Sequence, residues 1–193
     1  MSSQGPNNPG SSVSSPAAGT SFWINPGNVF TSDSNYTGFD AESSGDSEYL
    51  DITGFGFSIP AGSTINGILF EVRKREAAAA DNIYDKLVKA LKAGTAVGSD
   101  LKSASEWGTT FAYASYGGAA NLLGTTWTAN DINHSGFGIR IQAAESVGQN
   151  TNAEGRIDHI RCTVTYTPPA GGVFAVSCLN GLTRNGKEFN RLD

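Results

Sequence analysis

The amino-acid sequence predicts an all-β fold, an antiparallel β-sandwich of jelly-roll-like type. Several segments alternate apolar with polar residues, and this period of two is typical of strands with one buried face. The chain also combines 24 glycines with only 16% charged residues among 193, a balance typical of β proteins with many tight turns. Repeated helix–strand units, which would indicate an α/β fold, are not visible in the sequence.

Four segments carry the alternation most clearly: residues 49–59, 64–75, 137–142 and 159–166. In the second, Ile68 and Val72 share one face of the strand while Arg73 lies on the other. The apolar phase of these segments predicts the core, which consists of Phe57, Ile68, Phe70, Val72, Ile139, Ile141, Ile160, Cys162, Val164 and Tyr166.

Residues 77–94 fit two structures. Ile83, Leu87 and Leu91 have helical spacing, and the alanines before them favour a helix. The same segment also alternates at 87, 89 and 91, which suits an edge strand that carries lysines. Nearby, residues 111–116 predict a short strand, and residues 127–132 predict either a turn of helix, which residues 128–132 could cap, or an ordered loop.

Composition divides the chain into three parts. Residues 1–20 are rich in Ser, Gly, Pro and Asn, which predicts a flexible N-terminal arm. Residues 21–168 form the sandwich domain, in which 25–47 is expected to be a long surface loop. Residues 169–193 begin at a proline–glycine break and form a linker and C-terminal docking arm. The residues expected to dock are Phe174, Val176, Leu179, Leu182 and Phe189.

Charge and hydropathy set several classes of function aside. The formal charge is −5 and the basic residues are scattered, so nucleic-acid binding is not expected. We expect no membrane insertion, because no apolar run approaches about 20 residues. The first 20 residues do not resemble a signal peptide, so the protein is expected to be made in the cytoplasm. In that compartment Cys162 and Cys178 are expected to be free thiols.

The sequence predicts no catalytic residues, metal site or cofactor, and therefore no enzyme. His134 and His159 lie in no metal-ligand spacing, and a nucleophile elbow of the Gly-x-Ser-x-Gly type is missing. The carboxylates between residues 40 and 48 do not match an EF-hand loop, so a solvated acidic loop is the expectation there. Three tryptophans, Trp23, Trp107 and Trp127, could contact a glycan, although core packing is the favoured interpretation.

Several motifs together resemble a β-sandwich module that recurs in structural proteins of tailed phages and prophages. They are Asn-Pro-Gly-Asn at 25–28, the strand–Pro-Ala-Gly–strand run at 49–68, Leu-Gly-Thr-Thr-Trp-Thr-Ala-Asn-Asp-Ile-Asn at 123–133, Gly-Phe-Gly-Ile at 136–139 and Ile-Asp-His-Ile-Arg at 157–161. The resemblance covers about residues 22–167. It implies an extended segment at 85–93, which favours the strand there, and it brings no catalytic residues.

The resemblance implies a non-enzymatic structural protein of a tailed-phage virion, either a capsid decoration, a neck component or a tail or fibre component. We expect it to be assembled in the host cytoplasm, to bind other virion proteins through a terminal arm, and to form a homo-oligomer. The alternative is a carbohydrate-binding or host-adhesion module that recognises a host-surface glycan.

Overall fold

The computed structural model describes residues 1–16, 21–41, 45–146 and 152–170. In chain order its elements are β1 (Ser2–Asn7), β2 (Ser11–Ser15), a 3-10 turn (Pro26–Phe30), β3 (Thr37–Asp40), β4 (Tyr49–Thr53), β5 (Thr64–Glu76), β6 (Ile83–Lys92), β7 (Thr95–Val97), β8 (Ala112–Gly118), α1 (Ala129–Asn133), β9 (Gly138–Glu145) and β10 (Glu154–Thr167). Two antiparallel sheets pack against each other, which confirms the predicted all-β sandwich.

The first sheet is built around its longest strand, β10. The order is β1-β10-β5-β8, and β5 pairs with β10 from Gly155↔Glu76 to Thr167↔Thr64. The other edge of β10 is shared, because β3 pairs with its first residues and β1 with residues 162–166. The second sheet has the order β2-β4-β9-β6-β7. Consecutive strands lie in different sheets at every step except β6 to β7.

The core between the sheets is aromatic at its centre. Phe137, just before β9, packs against Phe70 on β5 with ring centroids 5.7 Å apart, and against Trp127 with centroids 5.5 Å apart. Nine of the ten predicted core residues are buried. The tenth, Tyr166, is half-buried, because the β5–β10 register shifts between Thr165 and Tyr166 and disturbs the alternation there.

The strand expected at 49–59 is shorter than its apolar alternation suggests. It ends at Thr53, where Gly54 and Gly56 adopt left-handed backbone angles, with φ of 75° and 63°, outside the extended range of a strand. Phe55, Phe57 and Ile59 beyond it are still buried. The Asn133 side chain takes the place of a partner strand, accepting from the Ile59 amide at 2.7 Å and donating to its carbonyl at 2.9 Å.

The strand interpretation of the segment within 77–94 is confirmed by β6, which pairs with β9 along most of its length. A register shift between Asp85 and Leu87 changes which residues of β6 face inward, from Ile83 and Asp85 before the shift to Val88 after it. The buried positions of β6 therefore follow neither helical spacing nor strict alternation. The helical turn predicted at 127–132 is also confirmed as α1. Its cap is Thr128, whose hydroxyl oxygen accepts from the backbone amide of Asp131 at 3.2 Å.

The prediction of a flexible N-terminal arm over residues 1–20 is wrong for residues 2–15. These residues form β1 and β2, which extend one edge of each sheet. An edge strand gains its stability from ladder hydrogen bonds and needs few apolar side chains, so a serine-rich segment can form one. Val13 is 53% exposed accordingly. Residues 17–20 lie outside the described residues.

The long surface loop expected at 25–47 is also more ordered than predicted. It contains the 3-10 turn and β3, and it buries Val29 and Phe39 completely. Phe39 packs against Trp23 with ring centroids 4.9 Å apart. The many glycine and asparagine residues of this segment predicted a loop and gave no sign that Val29 and Phe39 are buried. The predicted docking arm, with Phe174, Val176, Leu179, Leu182 and Phe189, lies outside the described residues, which end at Ala170.

Deletion of residues 1–16 should destabilise the sandwich strongly. The deletion removes the ladder of β1 and β2, and at about 1 kcal/mol for each hydrogen bond it should lower the melting temperature by more than about 10 °C. Thermal unfolding followed by circular dichroism measures this. The Val13→Ser variant is the control and should melt like the wild type, whereas an unchanged melting temperature in the deletion would mean that these strands are not stably paired.

Candidate functional site

The three tryptophans considered for glycan contact are interior residues. Trp23, Trp107 and Trp127 are 2%, 3% and 7% exposed. Each indole N–H has an internal acceptor: the Glu48 carbonyl at 3.0 Å, the Asp85 carboxylate at 2.8 Å and the Leu122 carbonyl at 2.9 Å, respectively. A sugar-stacking platform needs an exposed ring face, so the burial of these rings agrees with the packing interpretation that the sequence favoured.

The acidic stretch of residues 40–48 does not form one cluster. Asp46 pairs with Lys86, and Glu48 accepts from the Ser14 hydroxyl at 2.8 Å, while Glu42 lies outside the described residues. Among the residues that the structure describes, no group of three or more His, Cys, Asp or Glu side chains could hold a metal ion. Cys162 is buried, and this burial raises the pKa of its thiol. Cys178 lies outside the described chain.

Both ends of the described chain lie at one end of the sandwich, here called the terminal end. Ser2 is opposite Tyr166 in the β1–β10 ladder, and Thr64 is opposite Thr167 in the β5–β10 ladder. After β10 the chain passes the Pro-Ala-Gly turn that precedes β5. A Cβ added at Gly62 would lie 3.6 Å from the Cβ of Pro169, so the two residues are in van der Waals proximity.

A groove opens beside this contact and has a volume of about 510 Å³. It lies between the Pro-Ala-Gly turn and the segment that leads into α1. Its apolar lining consists of Ala61, Ile65, Leu122, Trp127 and Ala129. We call it the terminal groove. Gly62, which lines this groove, lies next to Pro169, one residue before the end of the described chain.

Near the opposite end, where β5 and β6 are joined, the interior holds a charged pair. Lys74 on β5 and Asp85 on β6 contact each other between the sheets, and their side chains are 8% and 0% exposed. The Lys74 ammonium also bonds the Tyr116 hydroxyl and lies 4.6 Å from the ring centroid of Trp107. Every proton of the ammonium group is thereby directed at an acceptor or a π face.

Asp85 is saturated with donors. Besides Lys74, one carboxylate oxygen accepts from the Trp107 indole at 2.8 Å, and the other accepts from the Tyr116 hydroxyl at 2.8 Å and the Ser103 amide at 3.0 Å. Burial lowers the pKa of Lys74, an effect that the nearby Asp85 charge opposes. Burial and the same carboxylate raise the pKa of Tyr116 far above its usual range.

Sequence reasoning missed this cluster, although a signal was present. Lys74 continues the inward phase of Ile68, Phe70 and Val72, and Asp85 holds the inward phase of β6 after Ile83. A charged residue in a buried phase predicts a buried partner. The cluster borders an open cleft of about 220 Å³, which Lys74, Ser103, Ser105, Trp107, Thr110 and Tyr113 help to line.

Arginines and aromatic rings cover the outer face of the first sheet. Four of the five arginines in the described chain stack there: Arg73 and Arg75 on Phe111, Arg156 on Tyr36, and Arg161 on Tyr113. Three of them also form ion pairs, which are Arg73–Asp158, Arg156–Glu154 and Arg161–Glu71. The linear sequence shows these cations as scattered, and folding brings them into one largely neutralised row.

His159 lies in the middle of this row. Its Nδ1 is 2.8 Å from the Tyr113 hydroxyl and its Nε2 is 3.0 Å from the side-chain oxygen of Asn8. Burial lowers the pKa of His159, and the Arg161 and Arg73 charges lower it further, against the opposing charges of Asp158 and Glu71.

The geometry defines a protein of the all-β sandwich class with a groove at its terminal end and a charged cluster inside. No family model, curated protein or solved structure matches the chain. In the part of the chain that the structure describes, no helix is long and apolar enough to cross a membrane.

The pKa of His159 predicts a loss of stability in mild acid. Below pH 6.5, the ordinary value for histidine, the unfolded chain binds a proton more readily than the folded chain, so unfolding is favoured as the pH falls and the loss levels off below the folded pKa. The drop in melting temperature between pH 7.5 and pH 5 should therefore be smaller in His159→Gln than in the wild type. His134→Gln, which changes an exposed histidine, is the matched control and should keep the full drop. An equal drop in all three proteins would contradict the assignment.

Proposed function

We propose that this chain is a non-enzymatic structural protein of a tailed-phage virion that attaches through its C-terminal segment and displays the sandwich outward. It would serve as a capsid decoration, a neck component or a tail or fibre component. The proposal rests first on the resemblance of residues 22–167 to a module of such proteins. The observation that carries the attachment mode is that the described chain ends at the rim of the terminal groove.

The terminal end and the opposite end are unequal, and this polarity supports attachment at the terminal end. Pro169 contacts the Gly62 turn, so the segment that follows starts within reach of the groove. That segment carries Val173, Phe174 and Val176 at its start, which are side chains of the kind that an apolar groove accommodates. In this proposal the opposite end, where β5 ends and β10 begins, is the end that is displayed.

The buried Lys74–Asp85 cluster supports a structural role, because its polar groups are occupied by one another. Asp85 accepts four hydrogen bonds from within the chain, and the Lys74 ammonium is held by Asp85 and Tyr116. A catalytic group has to face a substrate with at least one position that is not already bound. These groups instead join the two sheets.

The occupant of the groove in this proposal is the C-terminal segment of a second copy. Exchange of such segments between copies produces a closed, symmetric homo-oligomer, and it converts apolar area that one copy exposes into assembly energy.

Removal of residues 173–193 should leave a folded sandwich that no longer assembles. Size-exclusion chromatography with light scattering should show an oligomer for the full chain and a monomer for the truncated one, with unchanged circular dichroism. Ala61→Arg should also weaken assembly, because it places a long charged side chain at the exposed lip of the groove. Ala79→Arg, the same change in the exposed loop at the opposite end, is the matched control and should assemble normally.

Two results would contradict this proposal. A full chain that is monomeric, or an oligomer that survives the truncation, would exclude exchange of the C-terminal segment. The virion assignment is tested separately, by mass spectrometry of purified phage particles from cells that carry the gene. Particles that lack the chain would exclude a virion role even if the oligomer forms as expected.

A further inference from the structure

We propose that Lys74 and Asp85 react with each other in the folded protein to form an intramolecular amide that links the two sheets covalently. The inference does not depend on the proposed function. It concerns the most deeply buried charged pair that the structure describes, in which an amine and a carboxyl group are in direct contact without solvent between them.

The fold supplies the proximity that this reaction requires. Lys74 lies on β5 and Asp85 on β6, and each residue points inward from a different sheet. Both strands are held by neighbours along their length, so neither side chain can move far from the other. Two groups held in this way can react as if at effective concentrations of about 10⁵ M or more.

Burial favours the uncharged form of Lys74, which is one of the two forms that react. An amine attacks a carboxyl carbon only when the amine has lost its extra proton and the carboxyl group has gained one. Desolvation penalises the charged pair, and burial lowers the pKa of Lys74. Transfer of one proton from Lys74 to Asp85 therefore produces the reactive pair within the contact, without any group from outside.

The reaction then balances with the two residues alone. The Lys74 Nζ lone pair attacks Cγ of Asp85, and a C–N bond forms while one C–O bond of the carboxyl group breaks. The nitrogen loses one proton and the departing hydroxyl group gains it, so one water molecule is released. No oxidant, reductant or activated co-substrate takes part.

Neighbouring side chains are placed to assist. The Trp107 indole donates to one carboxyl oxygen of Asp85 and polarises the carbonyl that is attacked. Tyr116 contacts both Lys74 Nζ and the other carboxyl oxygen. Its hydroxyl can pass a proton to the departing oxygen while accepting one from the nitrogen, which keeps every intermediate free of net charge.

Release of water makes the product favourable. The cleft of about 220 Å³ beside Lys74 opens to the surface and gives the water molecule a short exit. The amide is neutral, so it also removes the desolvation penalty that an ion pair retains inside a protein.

The mass of the wild-type protein tests this proposal directly. Its intact mass after native purification should be lower than the sequence mass by one water molecule. Trypsin cleaves after Arg73, Arg75 and Lys86, so the digest should contain residues 74–75 joined to residues 76–86. Tandem mass spectrometry should locate the link between Lys74 and Asp85. Chain purified in denaturant from freshly made inclusion bodies should have the full mass and lose water only after refolding.

A second lysine–aspartate contact in the same chain is the internal control. Lys86 and Asp46 also touch, but their side chains are 39% and 23% exposed, so water keeps both charged. Their peptides should be unlinked, and Lys86→Arg should retain the mass loss. Lys74→Arg should have its full sequence mass, and Tyr116→Phe should form the link at least about tenfold more slowly.

The outcome is decisive in either direction. Linked peptides 74–75 and 76–86 in the wild type establish the amide, even if a variant at Lys74 fails to fold. An unlinked 76–86 peptide from folded, fully refolded wild-type protein overturns the proposal and leaves an ordinary buried ion pair. Neither result depends on whether the chain assembles or belongs to a virion.

Discussion

The structure depends first on the packing of aromatic rings around Phe137. Its ring contacts Phe70 from the opposite sheet, Phe55 and Phe57 from the segment between β4 and β5, and Trp127 from the approach to α1, at centroid distances of 5.5 to 6.2 Å. These rings set the spacing of the two sheets near the terminal end. They also hold the irregular segment at 54–59 in place, since it has no ladder hydrogen bonds of its own beyond β4.

The two ends of the interior are held together by different forces. Near the terminal end the contacts are apolar and weakly directional, and the surface above them opens into the groove. Near the opposite end Lys74 and Asp85 connect β5 to β6 through contacts that tolerate only one geometry. A charged pair inside a core contributes little net stability, but it penalises any alternative register in which one partner would be buried alone. The polar end therefore specifies the arrangement, while the apolar end supplies most of the burial.

The sequence alone was sufficient for the fold class, for the core phase of β5, β9 and β10, and for the capped turn at α1, because alternation and capping are local properties. It was insufficient for features that depend on which distant segment a residue contacts in the folded protein. The serine-rich residues 2–15 are strands only because β10 and β4 have free edges beside them. The buried phase of Lys74 is interpretable only once Asp85 is known to face it. The direction of Trp23, Trp107 and Trp127 depends on packing that no local pattern encodes.

The position of β10 in its sheet has a consequence for the order of folding. This strand is translated after every other strand in the described part of the chain, yet it lies between β5 on one side and β1 and β3 on the other. The ladder between Ser2 and Tyr166 closes across almost the whole described chain. Until β10 emerges from the ribosome, β1 and β3 have no partner in their sheet and β5 has an open edge. The sandwich therefore completes its fold after translation of β10, at the slow rate typical of sheets with distant pairings, and a nascent chain stalled before residue 154 exposes an edge that invites aggregation.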